Sequence, residues 1–152
     1  MNQVILRFNL RVYFICFDDR GINVLLSDEI IRGRMYTKFP GGGLEFGEGT
    51  LECVQREALE ELGQEVQVVR HFYTTDFFVQ SAFYESDQVM SIYYVARLKK
   101  VQQFRTTTIR FDFEDEKEGA ESFRWAEVAS LNPDDFELPI DRRVAEMLLQ
   151  GF

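Results

Sequence analysis

The stretch FPGGGLEFGEGTLECVQREALEELGQ, residues 39–64, contains six glutamates and six glycines. It opens with a Pro-Gly turn signal, and its second half has the apolar spacing of a helix. Thr50 is a suitable N-cap and Gly63 a suitable left-handed residue after the last turn, so we expect a helix over about Leu51–Leu62. The apolar positions at helical spacing should form its buried stripe: Leu51, Val54, Ala58 and Leu62.

Three carboxylates of this helix, Glu57, Glu60 and Glu61, are predicted to share a second face. Exposed like charges at such spacings cost about 0.2–0.5 kcal/mol per pair, and Arg56 offsets only part of that cost. A hard divalent cation such as Mg2+ takes oxygen ligands and bridges protein carboxylates to substrate phosphates. The pattern therefore has two interpretations, a solvated acidic face or a metal site.

The rest of the chain alternates strand patterns with one further helix. Apolar residues occupy the even positions from Val4 to Cys16, which predicts a strand. Further strands are predicted at residues 22–27, 66–72, 76–84, 89–98, 122–128 and, more weakly, 104–111. Loops are predicted at 28–36 and, with many acids, at 112–121. A closing helix is marked by Ile140, Val144, Met147 and Leu148. This order predicts an α/β (α+β) fold with a mixed sheet flanked by helices.

Composition limits the classes of partner. The 152 residues suit one domain, over 1–152, and the formal net charge of −9 disfavours nucleic acid and anionic membranes as partners. No run approaches the roughly 18 apolar residues of a membrane span, and the first residues lack a secretion signal, so we expect a cytoplasmic protein. Cys16 and Cys53 are expected to be buried thiols, and the single histidine, His71, excludes a multi-histidine metal site. A homodimer remains open.

The spacing within residues 42–64 resembles the signature of the Nudix (MutT-type) hydrolases: Gly, five residues, Glu, seven residues, then Arg-Glu-hydrophobic-x-Glu-Glu-x-Gly-hydrophobic. The matching positions are Gly42, Glu48, Arg56, Glu57, Ala58, Glu60, Glu61 and Gly63. Gln64 departs from the pattern, which prefers an apolar residue there.

The resemblance implies a Nudix-like α/β/α sandwich that binds Mg2+, with Mn2+ as a possible substitute. Glu57 and Glu61 would then be the principal metal ligands, Glu60 a direct or water-mediated one, and the carbonyl of Gly41 would complete the set. Arg56 and Glu48 resemble the pair that orients the helix carboxylates in this family. The alternative for that pair is an ordinary surface ion pair.

The same resemblance implies hydrolysis of a phosphoanhydride in a nucleoside diphosphate linked to another moiety. The general base is either Glu60 or a loop glutamate, Glu118 or Glu121. Candidate substrate contacts are Arg32, Arg34, Lys38, Gly42 and Gly43. The alternative function is a non-catalytic nucleotide-binding sensor on the same fold. An RNA-decapping role is disfavoured by the acidic charge, and substrate identity stays open.

Overall fold

The computed structural model describes residues 4–152, which form a mixed β-sheet with one α-helix on each face. The strands are β1 Arg7–Phe17, β2 Asn23–Ile31, β3 Arg34–Lys38, β4 Gly41–Gly43, β5 Val66–Thr74, β6 Asp87–Leu98 and β7 Glu121–Glu127. The helices are α1 Thr50–Leu62 and α2 Pro139–Leu149, and two short 3-10 helices, Val128–Ser130 and Pro133–Asp135, precede α2. Residues 1–3 of the domain predicted over 1–152 lie outside the described residues.

The sheet is built around β1. The strand order is β3-β2-β1-β6-β5, with β4 paired to β1 and β7 paired to β2. β1 and β6 are parallel, whereas the other strand pairs are antiparallel. Alternate residues of β1 point to opposite faces, so Phe14 packs in the core beneath α1 and Ile15 in the core beneath α2. The predicted α/β/α sandwich is confirmed.

The first half of β1 differs from its prediction. The strand begins at Arg7, and the apolar even positions before Val12 are not in the core: Leu6 is 75% exposed and Phe8 65% exposed. The core around α1 includes β1 from Val12 onward, so the alternating pattern extends beyond the part of the strand that is buried.

The loop predicted over residues 28–36 is wrong, because most of these residues belong to β2 and β3. Asp28, the first residue of the predicted loop, is fully buried within β2. Arg124 on β7 donates to Asp28 at 2.8 Å, and the Thr37 hydroxyl on β3 donates to it at 2.8 Å. These bonds offset the cost of burying the carboxylate.

Two other predicted strands, 76–84 and 104–111, are also wrong. In the first, the chain makes only an isolated bridge at Gln80, and the Ser81 hydroxyl accepts the backbone N–H groups of Phe83 and Tyr84, which turns the chain. In the second, Thr107 donates to Asp112 at 2.7 Å within an irregular segment.

The remaining elements follow the sequence patterns. The strand predicted at 122–128 is β7, and the closing helix is α2, with Ile140, Val144, Met147 and Leu148 buried as expected. Cys16 and Cys53 are free and buried. Within residues 4–152, neither helix has the length and apolar character needed to cross a bilayer.

Candidate active site

The glycine-rich strand β4 brings backbone unusually close to α1 and β1. A Cβ atom on Gly41, whose φ is +144°, would lie 2.2 Å from the carbonyl oxygen of Val12. A Cβ atom on Gly42 would lie 2.4 Å from Oε1 of Glu57. Only glycine permits these approaches, so the backbone of β4 lies directly against the carboxylate of Glu57 on α1.

Helix α1 begins one residue earlier than predicted. Gly49, not Thr50, is the N-cap, and the Glu52 carboxylate accepts the Gly49 N–H at 2.9 Å. The Thr50 hydroxyl instead hydrogen bonds to the hydroxyl of Tyr94 at 2.7 Å. Leu51 is 52% exposed and was wrongly placed in the buried stripe. The buried residues of the helix are Cys53, Val54, Glu57, Ala58 and Leu62.

Arg56 connects the loop before α1 to the helix carboxylates. Its Nε and Nη2 atoms donate to both carboxylate oxygens of Glu48 at 2.9 and 2.8 Å. Its Nη1 atom donates to Glu57 at 3.0 Å and to Glu60 at 3.1 Å, while Nη2 also donates to the Gly43 carbonyl at 2.9 Å. The hydrogen bonds from Arg56 lower the pKa of Glu48 to about 2. The guanidinium therefore holds one side of Glu57 by a charge-assisted hydrogen bond.

The three helix glutamates, which were predicted to share one face of α1, differ in their burial. Glu57 is buried, and Oε2 of Glu61 accepts the Gly41 N–H at 3.1 Å. The Glu60 side chain is 58% exposed and bonds to Arg56. Glu57 and Glu61 therefore face the glycine-rich strand, whereas Glu60 lies at the rim.

Two further carboxylates, Glu121 and Glu29, complete the acidic group. They face each other across the β2–β7 ladder. Burial and the carboxylates of Glu121 and Glu29 raise the pKa of Glu61 to about 9. Burial and Glu29 raise the pKa of Glu121 to about 7. Burial also raises the pKa of Glu57, against the opposing effect of Arg56. We call Glu29, Glu57, Glu61 and Glu121 the carboxylate group.

The structure separates the two loop glutamates that the sequence could not distinguish. Glu121 belongs to the carboxylate group. Glu118 instead accepts the backbone N–H groups of Arg32 and Gly33 at 2.6 and 2.9 Å, at the turn between β2 and β3. This role is structural, since the side chain caps a turn.

A cavity of about 260 Å³, called here the first cavity, adjoins the carboxylate group where Glu29 forms part of its wall. Its aromatic lining is Tyr13, Phe83, Tyr84 and Tyr93. Two charged residues in its wall are almost fully buried, Lys38 at 3% and Asp141 at 2% exposed. The Lys38 ammonium lies 3.5 Å from Oε2 of Glu29, and Tyr93 donates its hydroxyl to Oδ1 of Asp141. The cavity therefore combines aromatic faces with one buried cation and one buried carboxyl.

The residues predicted to contact the substrate lie in different parts of the structure. Lys38 and Arg32 line the first cavity, where the Arg32 guanidinium lies 4.9 Å from the centre of the Tyr84 ring. Arg34 is exposed on β3 and does not line this cavity. Gly42 and Gly43 lie in β4 beside Glu57 and Arg56.

Sequence reasoning missed three residues of this region, Glu29, Arg11 and Asp141. Arg11 donates from Nε to the Tyr13 hydroxyl at 3.1 Å and lines the first cavity. Burial raises the pKa of Asp141 to about 6, while Lys38 lowers it. A charged residue inside an otherwise apolar strand pattern could have marked such a position as a candidate site residue. Glu29, which precedes Ile30 and Ile31, is an example.

The donor chemistry of the carboxylate group fits a hard divalent cation. Its ligands are oxygens, its like charges raise the pKa of Glu61 and of Glu121, and β4 has no side chains to obstruct an ion. Within residues 4–152, no three acidic, thiol or imidazole side chains are already gathered at metal-ligand spacing. Glu57 and Glu61 are the residues of α1 that would hold the ion.

Comparison with known families identifies the chain. Residues 7–147 match the model of the NUDIX domain. The match spans most of the sequence, so the chain belongs to the NUDIX family, and the resemblance noted in residues 42–64 is confirmed. A comparison with curated protein sequences gave no match.

Solved structures support the same fold. A NUDIX hydrolase from Nitrosomonas europaea has a TM-score of 0.67 at 21% identity, covering 94% of this chain and 89% of that chain. A mutator MutT protein from Bacillus halodurans has a TM-score of 0.65 at 20% identity, with coverage of 94% and 83%. A UDP-X diphosphatase has a TM-score of 0.62 at 18% identity, with coverage of 94% and only 63%. At these identities the likeness establishes the fold alone.

Proposed function

We propose that this chain is a Mg2+-dependent pyrophosphatase that cleaves a phosphoanhydride bond in a nucleoside diphosphate linked to another moiety. The observation that carries the proposal is the carboxylate group. Burial and repulsion from Glu121, Glu29 and Glu57 raise the pKa of Glu61 to about 9, although Arg56 pairs with Glu57 and Lys38 with Glu29, so the two neighbouring cations do not offset the negative charge gathered around Glu61. Such an arrangement is costly for stability alone, and it suits the binding of a divalent ion.

Glu57 and Glu61 would hold the ion, with the Gly41 carbonyl as a further ligand. Mn2+ offers the same preference for oxygen ligands. A divalent ion bound there supplies charge neutralisation for the diphosphate and lowers the pKa of a coordinated water. Arg56, held by Glu48, keeps Glu57 in one orientation through its 3.0 Å hydrogen bond. Glu60, exposed at the rim, is left with a water-mediated role.

Glu121 is the proposed general base. It faces Glu29 across the β2–β7 ladder and lies close enough to Glu61 to raise the pKa of that carboxyl, so it can accept a proton from a water held at the carboxylate group. Glu60 is a weaker candidate because Arg56 bonds to it and solvent surrounds it. Glu118 is withdrawn as a candidate base because both of its carboxylate oxygens accept backbone N–H groups at the β2–β3 turn.

The first cavity is the proposed nucleotide site. Tyr84, which is 51% exposed, offers a ring on which a base can stack, and stacking suits every nucleobase. Lys38 and Arg11 supply positive charge between this cavity and the carboxylate group. The net charge of −9 repels an anionic substrate, so the protein needs local positive charge where that substrate binds. Lys38 and Arg11 provide this charge.

The test is a hydrolysis screen with product separation by chromatography. The panel contains nucleoside triphosphates, oxidised nucleotides, ADP-ribose, nucleotide sugars and dinucleoside polyphosphates, each with Mg2+, with Mn2+ and with excess chelator. The proposal expects release of a nucleoside monophosphate from at least one class, abolished by the chelator. Hydrolysis that persists in chelator would exclude the metal role. Tight nucleotide binding without any hydrolysis would favour the sensor function instead.

A further inference from the structure

Residues 104–120, between β6 and β7, contain a strained turn at Arg110 and Phe111. This segment also forms most of the wall of a second cavity, of about 420 Å³, that Glu61 borders. Phe111 has a φ of +61°, a left-handed conformation that few residues other than glycine adopt. Its N–H donates to Oδ2 of Asp28 at 3.1 Å, and the Arg110 guanidinium carbon lies 4.2 Å from the centre of its ring. Such strain persists only where surrounding contacts maintain it, and it concentrates at functional sites.

The guanidinium of Arg110 connects this turn to two other parts of the chain. Its Nε atom donates to the Thr37 hydroxyl at 2.9 Å, and its Nη2 atom donates to Oε1 of Glu137 at 2.9 Å. The second carboxylate oxygen of Glu137 accepts the backbone N–H of Thr37 at 3.0 Å. Arg110, Thr37 and Glu137 therefore form a closed set of hydrogen bonds, called here the Arg110 bridge. It joins the end of β3 to the segment that leads into α2.

Both anchors of the Arg110 bridge lie next to a wall of the first cavity. Thr37 immediately precedes Lys38, a buried cation of that cavity. Glu137 immediately precedes residues 138–141, which also line it. Arg110 does not itself line the cavity. The bridge therefore fixes the separation between Lys38 and the 138–141 wall, because each begins one planar peptide bond from an anchored residue.

Stability alone is a weak reason for this arrangement. The Arg110 and Glu137 side chains are 34% and 35% exposed. An ion pair at that exposure contributes little to folding, whereas a left-handed phenylalanine costs folding free energy. The strained turn is therefore better explained by the geometry that it gives to the cavity walls.

We propose that Arg110 is a positioning residue for the nucleotide site: it holds Lys38 and the 138–141 wall at the separation that a bound nucleotide requires. The inference rests on the proposed function, which assigns the nucleotide to the first cavity. Among the described residues, no hydrogen bond of the Arg110 bridge reaches the carboxylate group. Loss of Arg110 should therefore weaken nucleotide binding and leave the chemical step nearly unchanged.

The experiment measures KM and kcat on the best substrate of the screen for Arg110→Met, which keeps an apolar stem and removes the guanidinium. KM should rise about fivefold to tenfold while kcat stays within about threefold, because Lys38 is displaced from the substrate but not removed. Arg110→Lys keeps the charge but cannot reach Thr37 and Glu137 together, so its KM should be intermediate. Glu137→Gln weakens the bridge at its other end, and combining it with Arg110→Met should raise KM little beyond the Arg110→Met value.

Arg143→Met is the matched control, because it removes a guanidinium from another partly exposed ion pair, with Glu146 on α2, outside the Arg110 bridge. Its KM should stay within about twofold of wild type. If Arg110→Met raises KM by less than about fivefold, if Arg143→Met raises it equally, or if kcat falls more than KM rises, the inference is wrong while the proposed function stands. If wild type hydrolyses no nucleotide of the screen in Mg2+, both fail. Thermal unfolding checks that each variant is folded, and Arg110→Lys with Glu137→Gln carries the test if Arg110→Met is not.

Discussion

Replacing Gly42 with alanine should disable the site through a single added methyl group. The new Cβ atom would lie 2.4 Å from Oε1 of Glu57 and 2.7 Å from its Cδ, where ordinary contact begins at 3.4 Å. Glu57 must therefore retreat by about 1 Å, because the other side of the contact is backbone. A displacement of that size in a reacting group costs about 100-fold in rate.

The same displacement should reduce stability. Glu57 is buried and accepts a 3.0 Å hydrogen bond from Arg56, so moving it disturbs a packed and bonded side chain. Overpacking of this kind costs about 1–3 kcal/mol. The assay is kcat on the best substrate of the screen, together with thermal unfolding.

Gly43→Ala is the matched control. Its Cβ atom would meet only the end of the flexible Arg11 side chain, at 3.3 Å. This variant should retain activity within about tenfold of wild type, since the tip of a long side chain adjusts at little cost. If Gly42→Ala keeps wild-type turnover and unfolding temperature, Glu57 does not occupy the position described, and the reasoning from close approach fails.

Three other predictions test the surroundings of the carboxylate group. Glu48→Gln removes the charged partner that holds Arg56, so kcat should fall by about 10- to 100-fold with little change in KM, measured by steady-state kinetics. The pKa of Glu61 is raised to about 9, so at this carboxylate the metal-free folded protein binds a proton more tightly than the unfolded chain does. The free energy of unfolding of the metal-free protein should therefore fall as the pH rises from about 5 to about 9. Thermal unfolding of Glu61→Gln should show a smaller decrease in stability over the same pH range. Lys38→Met removes the buried cation of the first cavity, so KM for nucleotides should rise about tenfold or more in the same kinetic assay, and an unchanged KM would remove Lys38 from the substrate site.

The helix carboxylates were predictable because they are local. Glu57 and Glu61 are four residues apart on one helix, Arg56 lies on the same helix, and Glu48 lies in the loop just before it. Such spacings translate directly into geometry. The different environment of Glu60 was not predictable in this way, because it depends on which face β4 covers.

Glu29 and Glu121 became neighbours only through sheet register. They are far apart in sequence and are joined because β7 pairs with β2 at that register. A single sequence does not define the register of a long-range strand pair, which depends on packing across the whole sheet. The same limit explains the missed β2–β3 hairpin, where the acid at Asp28 is satisfied by Arg124 from β7.

The two cavities were beyond the reach of sequence patterns. The second is walled largely by an irregular segment whose threonines and phenylalanines suggested a strand at 104–111. Its shape follows from side chain to backbone bonds, such as Ser122 to the Asp112 carbonyl at 2.8 Å. Bonds of this kind have no periodic signature.

We propose that Glu61 belongs to a metal site that performs hydrolysis. The most direct measurement is turnover of the best substrate as a function of free Mg2+, for wild type and for Glu61→Gln. Wild type should require Mg2+, and Glu61→Gln should be slower by at least about 100-fold at saturating Mg2+, while it remains folded in metal-free buffer. Equal turnover by the two proteins at the same Mg2+ concentration would contradict a role for Glu61 in the metal site.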